Sequence, residues 1–188
     1  MPKIVVGLGN PGAKYVGTRH NVGFDVLDSL YTKHGSPSAK IGSDGKSASI
    51  DIGTTKLILV WPLTYMNNSG RFVQPIVQFY KINKAEDLLI ICDDLSLPLG
   101  KVRIRPQGSA GGQKGLADIL QRLGDQQVPR LRIGIDPTPA GWDTADYVLS
   151  KFRSEERLVV DQAVQMACQA IEAWCENDLQ YCMNKFNR

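Results

Sequence analysis

The chain has 188 residues, of which 43% are hydrophobic and 22% are charged, and its formal net charge is +3. These values predict one globular domain over residues 1–188 that buries a sizeable core and needs no disulfide or metal staple. No apolar run reaches the roughly 20 residues of a membrane-spanning helix. The weak basic charge permits a nucleic-acid partner but does not indicate a dedicated DNA-binding module.

The N-terminus and the cysteines indicate the compartment. The chain runs from Lys3 directly into an apolar segment, which is not the pattern of a signal peptide. None of the four cysteines, Cys92 included, forms a CxxC pair or a spacing typical of zinc sites. Cys168, Cys175 and Cys182 recur every seven residues, so we expect them to share one face of a long C-terminal helix as small buried side chains. The pattern favours a cytoplasmic protein without metal.

The first half of the chain is predicted to contain a buried strand, a hairpin and two helices. The hairpin is predicted from two strand-like segments around Gly53-Thr54, and residues 36–46 are predicted to form a loop. Pro75 predicts that the second helix is kinked or begins later than its pattern suggests. The predicted bounds are a strand at 3–8, a helix at 21–34, hairpin strands at 47–52 and 56–61, and a helix at 69–80.

The second half is predicted to continue with three strands and two helices, the last of them capped by Ser154. Strands alternate with helices along the chain, except where the hairpin interrupts that order. The expected fold class is therefore α/β, with a single domain built on a twisted mixed central sheet flanked by helices on both faces. The predicted bounds are strands at 88–92, 101–105 and 131–135, and helices at 115–123 and 154–175.

Residues 7–21 place Asn10 and His20 after the first strand. Two glycines follow that strand as in a dinucleotide-binding loop. Pro11 and the lack of a helix directly after the glycine segment argue against this interpretation. Polar groups at the carboxyl end of a strand often form sites in α/β folds. Since the chain has only 2 histidines, any imidazole acid–base chemistry falls to His20 or His34. The alternative for His20 is a loop histidine that caps the following helix.

Residues 62–70 join the hairpin to the next helix and contain Asn67, Asn68 and Ser69. All three are good N-cap residues, which accounts for at least one of them. Two adjacent asparagines exceed what one cap needs, so one amide is a candidate donor to a substrate carbonyl or oxyanion.

Asp93 and Asp94 end a buried strand. A carboxylate in this place can orient a histidine and stabilise its protonated form. A Mg²⁺ site is the alternative, because carboxylates suit hard cations.

Residues 101–116 combine alternating cations with a glycine loop, which we define as residues 108–112. A solvated strand face would explain the cations alone, but the loop opens a helix whose first turn contains Lys114. A glycine loop, a helix N-terminus and a cation together indicate an anion site, and a phosphate backbone is a natural partner. The alternating cations are Lys101, Arg103 and Arg105, followed by the pair Arg130 and Arg132.

In this order and spacing, the segments resemble the bacterial-type peptidyl-tRNA hydrolases over nearly the whole chain. The resemblance implies a monomeric α/β enzyme that uses no cofactor or metal. It implies that the enzyme hydrolyses the ester between a peptide and the 3′-terminal ribose of tRNA. The segments that carry the resemblance are VGLGNPGAKYVGTRHNVGF, PLTYMNNSG, DDLSLPLG, GSAGG and RLRIGI.

The resemblance also implies a role for individual residues. His20 matches the family's general base, and Asp93 matches the carboxylate that orients it. Asn10 and Asn67 match amides that hold the peptidyl part and the attacking water. Tyr15 and Met66 match residues that line the family's cleft, and Arg105 and Arg132 match cations that bind the tRNA 5′ phosphate. Arg103, on the same strand face as Arg105, is expected to bind phosphate with them.

The chain differs from the family where the glycine loop ends and the next helix begins. The family usually has GGHNG there, whereas this chain has GGQKG at residues 111–115. Lys114 therefore stands where the family has an asparagine that anchors substrate and water. A lysine can donate a hydrogen bond but cannot accept one, and it carries a charge.

Direct attack by water fits these residues, because an imidazole base that titrates near neutral pH needs no serine or cysteine nucleophile. No GxSxG elbow is present. A non-catalytic RNA-binding protein on the same fold is the first alternative. The intact residues argue against it, whereas Lys114 favours it; the intact residues are Asn10, His20, Asn67 and Asp93. A nucleotide-binding oxidoreductase or phosphotransferase is the second, and the failed GxGxxG and GxxxxGK[ST] matches argue against that.

Overall fold

The computed structural model describes residues 1–187, and a seven-stranded mixed sheet forms its centre. The strand order is β2-β3-β4-β1-β5-β7-β6, with β4, β1, β5 and β7 parallel and with antiparallel pairs at both edges. The strands are β1 (Lys3–Gly7), β2 (Ala39–Ile41), β3 (Gly45–Ile52), β4 (Thr55–Pro62), β5 (Leu88–Asp94), β6 (Val102–Arg105) and β7 (Arg130–Gly134).

Helices follow most strands and cover the sheet. Within the described part of the chain, no helix is both long enough and apolar enough to cross a membrane. Three short 3₁₀ turns at Ala13–Tyr15, Arg19–Asn21 and Met66–Asn68 lie in the connections. The helices are α1 (Val22–Lys33), α2 (Ser69–Tyr80), α3 (Lys84–Asp87), α4 (Lys114–Leu123), α5 (Thr144–Leu149), α6 (Ser154–Glu176) and α7 (Leu179–Phe186).

The sheet buries both of its faces, because successive side chains along a strand point to opposite sides. Val5 and Leu89 lie on the face that packs against α1, α6 and α7. Ile4 and Leu88 lie on the other face, which packs against α2 and α4. The α/β class and the mixed sheet with helices on both faces are therefore confirmed.

Two glycines bring α1 directly against the end of β1. A Cβ on Gly7 would lie 2.3 Å from the carbonyl oxygen of Gly23, and one on Gly23 would lie 2.5 Å from the amide nitrogen of Leu8. No larger residue fits at either place, so Gly7, the last residue of β1, serves helix–strand packing. This contact fixes where the segment between β1 and α1 runs.

Most predicted elements of the first half are confirmed, including the hairpin and the helix from Ser69. The alternative that Pro75 delays the start of α2 is wrong, since the proline lies inside the helix. The loop predicted at 36–46 is also partly wrong. It contains β2, an edge strand that pairs with β3 and has only three residues, which is too short to show a clear alternation.

The C-terminal predictions need correction. Cys168 and Cys175 lie in α6, but Cys182 lies in α7, because the extended backbone at Asn177 ends the first helix and Asp178 caps the second. All four cysteines are buried free thiols, as expected, and burial raises the pKa of Cys175 to about 12.

The helix α6 is capped differently from the prediction. Arg153 occupies the N-cap position instead of Ser154, and the Glu156 carboxylate accepts a hydrogen bond of 2.7 Å from the Arg153 backbone N–H. The short helices α3 and α5 were not predicted, since four and six residues show little periodicity.

Candidate active site

A cavity of about 590 Å³ opens at the carboxyl ends of β1, β5 and β7. This volume is in the range of small-molecule sites. The cavity brings together seven of the ten residues predicted for the site, whereas Tyr15, Arg103 and Arg105 lie outside its lining. The seven are Asn10, His20, Met66, Asn67, Asp93, Lys114 and Arg132.

His20 and Asp93 form a hydrogen-bonded pair in this cavity. The Nδ1 of His20 lies 2.9 Å and 3.0 Å from the two carboxylate oxygens of Asp93. Since the buried carboxylate only accepts, Nδ1 is the protonated nitrogen, and Nε2 is left to accept a proton. His20 does not cap α1, so the capping alternative is wrong.

Asn10 is held rigidly by backbone and side-chain contacts. Its Oδ1 accepts a 2.8 Å hydrogen bond from the Met66 backbone N–H. Its own backbone N–H donates to Oδ1 of Asn21 at 2.9 Å, and its carbonyl accepts from Nδ2 of Asn21 at 3.0 Å. The Nδ2 of Asn10 therefore remains as a donor toward the cavity. The supporting Asn21 was missed in the sequence, where it reads as an ordinary helix cap.

Asn67 presents an exposed amide to the cavity. Neither Asn67 nor Asn68 caps α2 with its side chain; Ser69 instead donates its hydroxyl to the carbonyl of Met66 at 2.9 Å. Asn68 occupies the N-cap position of α2 without a side-chain hydrogen bond to the helix, and the Asn67 amide has no hydrogen-bond partner in residues 1–187.

Tyr65 adopts a left-handed backbone conformation, with φ of +61°. Such a conformation costs energy in a bulky residue and occurs often at functional sites. Tyr65 lines the cavity, and its ring meets that of Tyr15 edge-to-face at 6.4 Å between centroids. Tyr15 thus supports the cavity wall from behind.

Gln113 was not singled out from the sequence but lies buried between three parts of the site. Its Oε1 accepts a 2.7 Å hydrogen bond from the Leu116 N–H and so caps α4. Its Nε2 lies 3.2 Å from Oδ1 of Asp93 and 3.1 Å from Sδ of Met66. Lys114, the next residue, begins α4 and lines the cavity with an exposed side chain.

Arg132 lines the cavity beside Asp94, with which it forms an ion pair. Arg103 lies opposite Arg132 in the β6–β7 pair, and Arg105 continues the same face of the edge strand. The expectation that Arg130 joins this basic surface is wrong. Arg130 is buried, and its guanidinium donates to the carbonyls of Val128 and Ser109, both at 2.9 Å.

The two aspartates of β5 have separate partners. Asp93 binds His20, and Asp94 binds Arg132 as well as the N–H and hydroxyl of Ser96 at 2.7 Å and 2.6 Å. Among residues 1–187, no group of three or more His, Cys, Asp or Glu side chains is placed to hold a metal ion.

A buried ion pair anchors the turn that carries His20. Arg19 donates from Nη2 to both carboxylate oxygens of Glu156, at 2.9 Å and 2.7 Å, and from Nη1 to the Ser150 hydroxyl at 2.9 Å. Its guanidinium lies 4.4 Å from the ring centroid of Tyr147 and 5.0 Å from that of Phe152. The turn before α1 is thereby fixed to α5 and α6.

Comparisons with known proteins agree on one family. A family model described as peptidyl-tRNA hydrolase matches residues 4–188. The peptidyl-tRNA hydrolase of Rhodopirellula baltica is 45% identical over 98% of this chain and 97% of its own, and that of Elusimicrobium minutum is 44% identical over 100% of both. A crystal structure of the Acinetobacter baumannii peptidyl-tRNA hydrolase is similar with a TM-score of 0.92 and 34% identity, covering 99% of this chain and 94% of that one.

The substitution Glu156→Gln is expected to destabilise the fold by about 3–5 kcal/mol at neutral pH, because it leaves the buried Arg19 charge uncompensated. Urea unfolding measures this loss. Glu155→Gln is the matched control, since this exposed neighbour makes only a 3.4 Å surface contact with Arg153. An equal loss of unfolding free energy in the two variants would contradict the stabilising role of the Arg19–Glu156 pair.

The difference in the free energy of unfolding between the unmodified chain and Glu156→Gln is also expected to depend on pH. Burial opposes ionisation, but hydrogen bonds from Arg153 and the charge of Arg19 hold the pKa of Glu156 below its ordinary value of 4.5. The stabilisation is therefore complete above pH 4.5 and disappears as the pH falls through the lowered pKa. Unfolding measured along an acid series checks this, and a difference that stays constant would refute it.

Proposed function

The chain belongs to the peptidyl-tRNA hydrolase family, and from this premise we propose that His20 is the general base with which it hydrolyses peptidyl-tRNA. The enzyme cleaves the ester between the peptide and the 3′-terminal ribose and so releases tRNA. The observation that carries the role of His20 is its pairing with buried Asp93 at 2.9 Å inside the cavity.

In the proposed mechanism Asp93 fixes the tautomer and the orientation of the imidazole. Nε2 of His20 takes a proton from water as the water attacks the ester carbonyl, and Asp93 stabilises the imidazolium that forms. The same imidazolium then gives its proton to the departing 3′ oxygen. A positioned base of this kind contributes about 10²–10⁴-fold in rate.

Amide donors complete the proposed site. The Nδ2 of Asn10 and the amide of Asn67 are placed to stabilise the negative charge that develops on the carbonyl oxygen and to hold the peptide. Met66, backed by Gln113, and Tyr65, backed by Tyr15, form apolar walls for the substrate.

The reaction is proposed to proceed without a covalent intermediate. Cys92 lines the cavity, but burial raises the pKa of its thiol, so it is a poor nucleophile.

The tRNA phosphates are proposed to bind along Arg103, Arg105 and Arg132. Arg105 is exposed, Arg103 is half-buried, and neither has an acidic partner within ion-pair distance in the part of the chain that the structure describes. Arg132 connects this strand face to the cavity. The three cations therefore extend the site from the ester toward the nucleic-acid body.

The whole chain, residues 1–188, is proposed to act as one monomeric domain in the cytoplasm. The family model spans almost its entire length, from residue 4 to residue 188. Four buried thiols suit a reducing compartment.

The substitution His20→Ala is expected to lower kcat by about 10²–10⁴-fold while tRNA binding persists. The measurement is release of an N-blocked amino acid from acylated tRNA. His34→Ala is the matched control, since His34 is the only other histidine and lies at the C-terminal end of α1, where it binds Glu172 at 3.0 Å. Equal activity of the two variants would show that His20 is not catalytic. An unmodified chain that binds tRNA but does not cleave acylated tRNA would favour an RNA-binding role.

The substitution Arg105→Gln is expected to raise KM for full-length substrate and to reduce the log–log salt dependence of kcat/KM by about 1, because one phosphate contact is lost. Lys40→Gln, on the opposite edge strand, is the matched control for charge. With a short 3′-terminal fragment as the substrate, the effect of Arg105→Gln should vanish. A KM effect that persists on the fragment would place Arg105 at the ester.

Lys114→Asn, which introduces the family's usual residue, is expected to change KM for both the full-length substrate and the fragment. The reason is that Lys114 lines the cavity itself. The loss of its charge should weaken the salt dependence of KM while kcat stays within about threefold, since a cation that only binds acts equally on ground and transition states. A fall in kcat without a change in KM would instead make Lys114 part of the chemistry.

A further inference from the structure

We propose that Gln113 is a positioning residue that sets the pH range of the reaction by donating a hydrogen bond to Asp93. The inference rests on the proposed function, because it concerns the carboxylate that orients His20. Gln113 occupies the N-cap position of α4, so its amide reaches Asp93 from a different segment of the chain than His20 does.

The orientation of the Gln113 amide is fixed by two independent contacts. Its Oε1 faces the Leu116 backbone N–H at 2.7 Å, and this group can only donate. Its NH₂ group faces Oδ1 of Asp93 at 3.2 Å, and an ionised carboxylate can only accept. A flipped amide would lose both hydrogen bonds, so Gln113 is a donor to Asp93.

The donor acts on a carboxylate that is almost sealed from water. Asp93 is 5% exposed, and Gln113 is 8% exposed. Oδ1 of Asp93 is shared between Nε2 of Gln113 and Nδ1 of His20, while Oδ2 faces His20 alone at 2.9 Å. In such a buried place a hydrogen bond is electrostatically stronger than in water, and solvent does not readily replace it.

The shared acceptor limits how strongly Asp93 stabilises the imidazolium form of His20. The N–H of Gln113 draws negative charge toward itself and places a partial positive charge near the imidazole. Without this donor, the full carboxylate charge would favour protonated His20 up to a higher pH. A protonated His20 cannot act as a base, so Gln113 extends activity toward lower pH.

Two variants separate this electrostatic role from the capping role of Gln113. Gln113→Asn keeps a strong N-cap residue but is one methylene too short to reach Asp93. Gln113→Met keeps the length but removes both the cap and the donor. Gln121→Asn, on the exposed face of the same helix, is the matched control.

The first readout is the pH profile of kcat/KM. We expect the acid limb to move to higher pH by about half a unit to one unit in both Gln113 variants, which is a loss of about 3–10-fold in kcat/KM on that limb and little change above it. The control should keep the original profile. Thermal unfolding should separate the variants, since only Gln113→Met loses the cap.

The second readout does not require turnover. The chain has only 2 histidines, so proton NMR resolves both ring titrations, and His34 serves as an internal reference. The His20 midpoint should move upward in both variants while that of His34 stays fixed. If the chain proves inactive, the proposed function fails but this titration still tests Gln113.

An unchanged acid limb and an unchanged His20 titration in both variants would overturn the proposal. So would a downward shift, or a shift confined to Gln113→Met that follows its loss of stability, because each would reduce Gln113 to a helix cap.

Discussion

A buried carboxylate at the end of β5 is the constraint on which the site depends. Asp93 is 5% exposed, and a charge in that position is costly unless donors surround it. The donors come from two distant segments, His20 after β1 and Gln113 before α4, at 2.9 Å and 3.2 Å. Both segments are therefore drawn to the same sheet edge, and the cavity is the space left between them.

The remaining contacts make this arrangement rigid. The Arg19–Glu156 pair fixes the turn carrying His20 to α6, and the Asn10–Asn21 hydrogen bonds fix it to the end of β1. A base that must lie within hydrogen-bond reach of a water benefits from such support, since small displacements reduce catalysis strongly. The residues that stabilise this turn, Arg19 and Asn21, are thus the sequence neighbours of the proposed base, His20.

The sequence predicted which residues form the candidate site better than it predicted which of them contact one another. His20 and Asp93 follow from strand ends and residue chemistry, but their pairing depends on β1 and β5 being neighbours, which no local pattern specifies. Gln113 gave no signal, because a glutamine after a glycine loop is unremarkable until its amide meets a buried carboxylate. Arg130 shows the converse. Strand alternation placed it with Arg132, yet its guanidinium is buried and donates to the backbone carbonyls of Ser109 and Val128.

The adjacent aspartates of β5 explain how one strand end serves two kinds of chemistry. Neighbouring residues of a strand point to opposite faces, so Asp93 meets His20 and Asp94 meets Arg132. Asp94 is paired with Arg132, so the carboxylate in contact with the imidazole is that of Asp93, which also accepts a hydrogen bond from Gln113. Any phosphate that binds Arg132 must compete with Asp94, whereas Arg103 and Arg105 have no such competitor in residues 1–187. Under the proposed function, phosphate is therefore expected to bind mainly along β6, while Arg132 connects that strand face to the cavity.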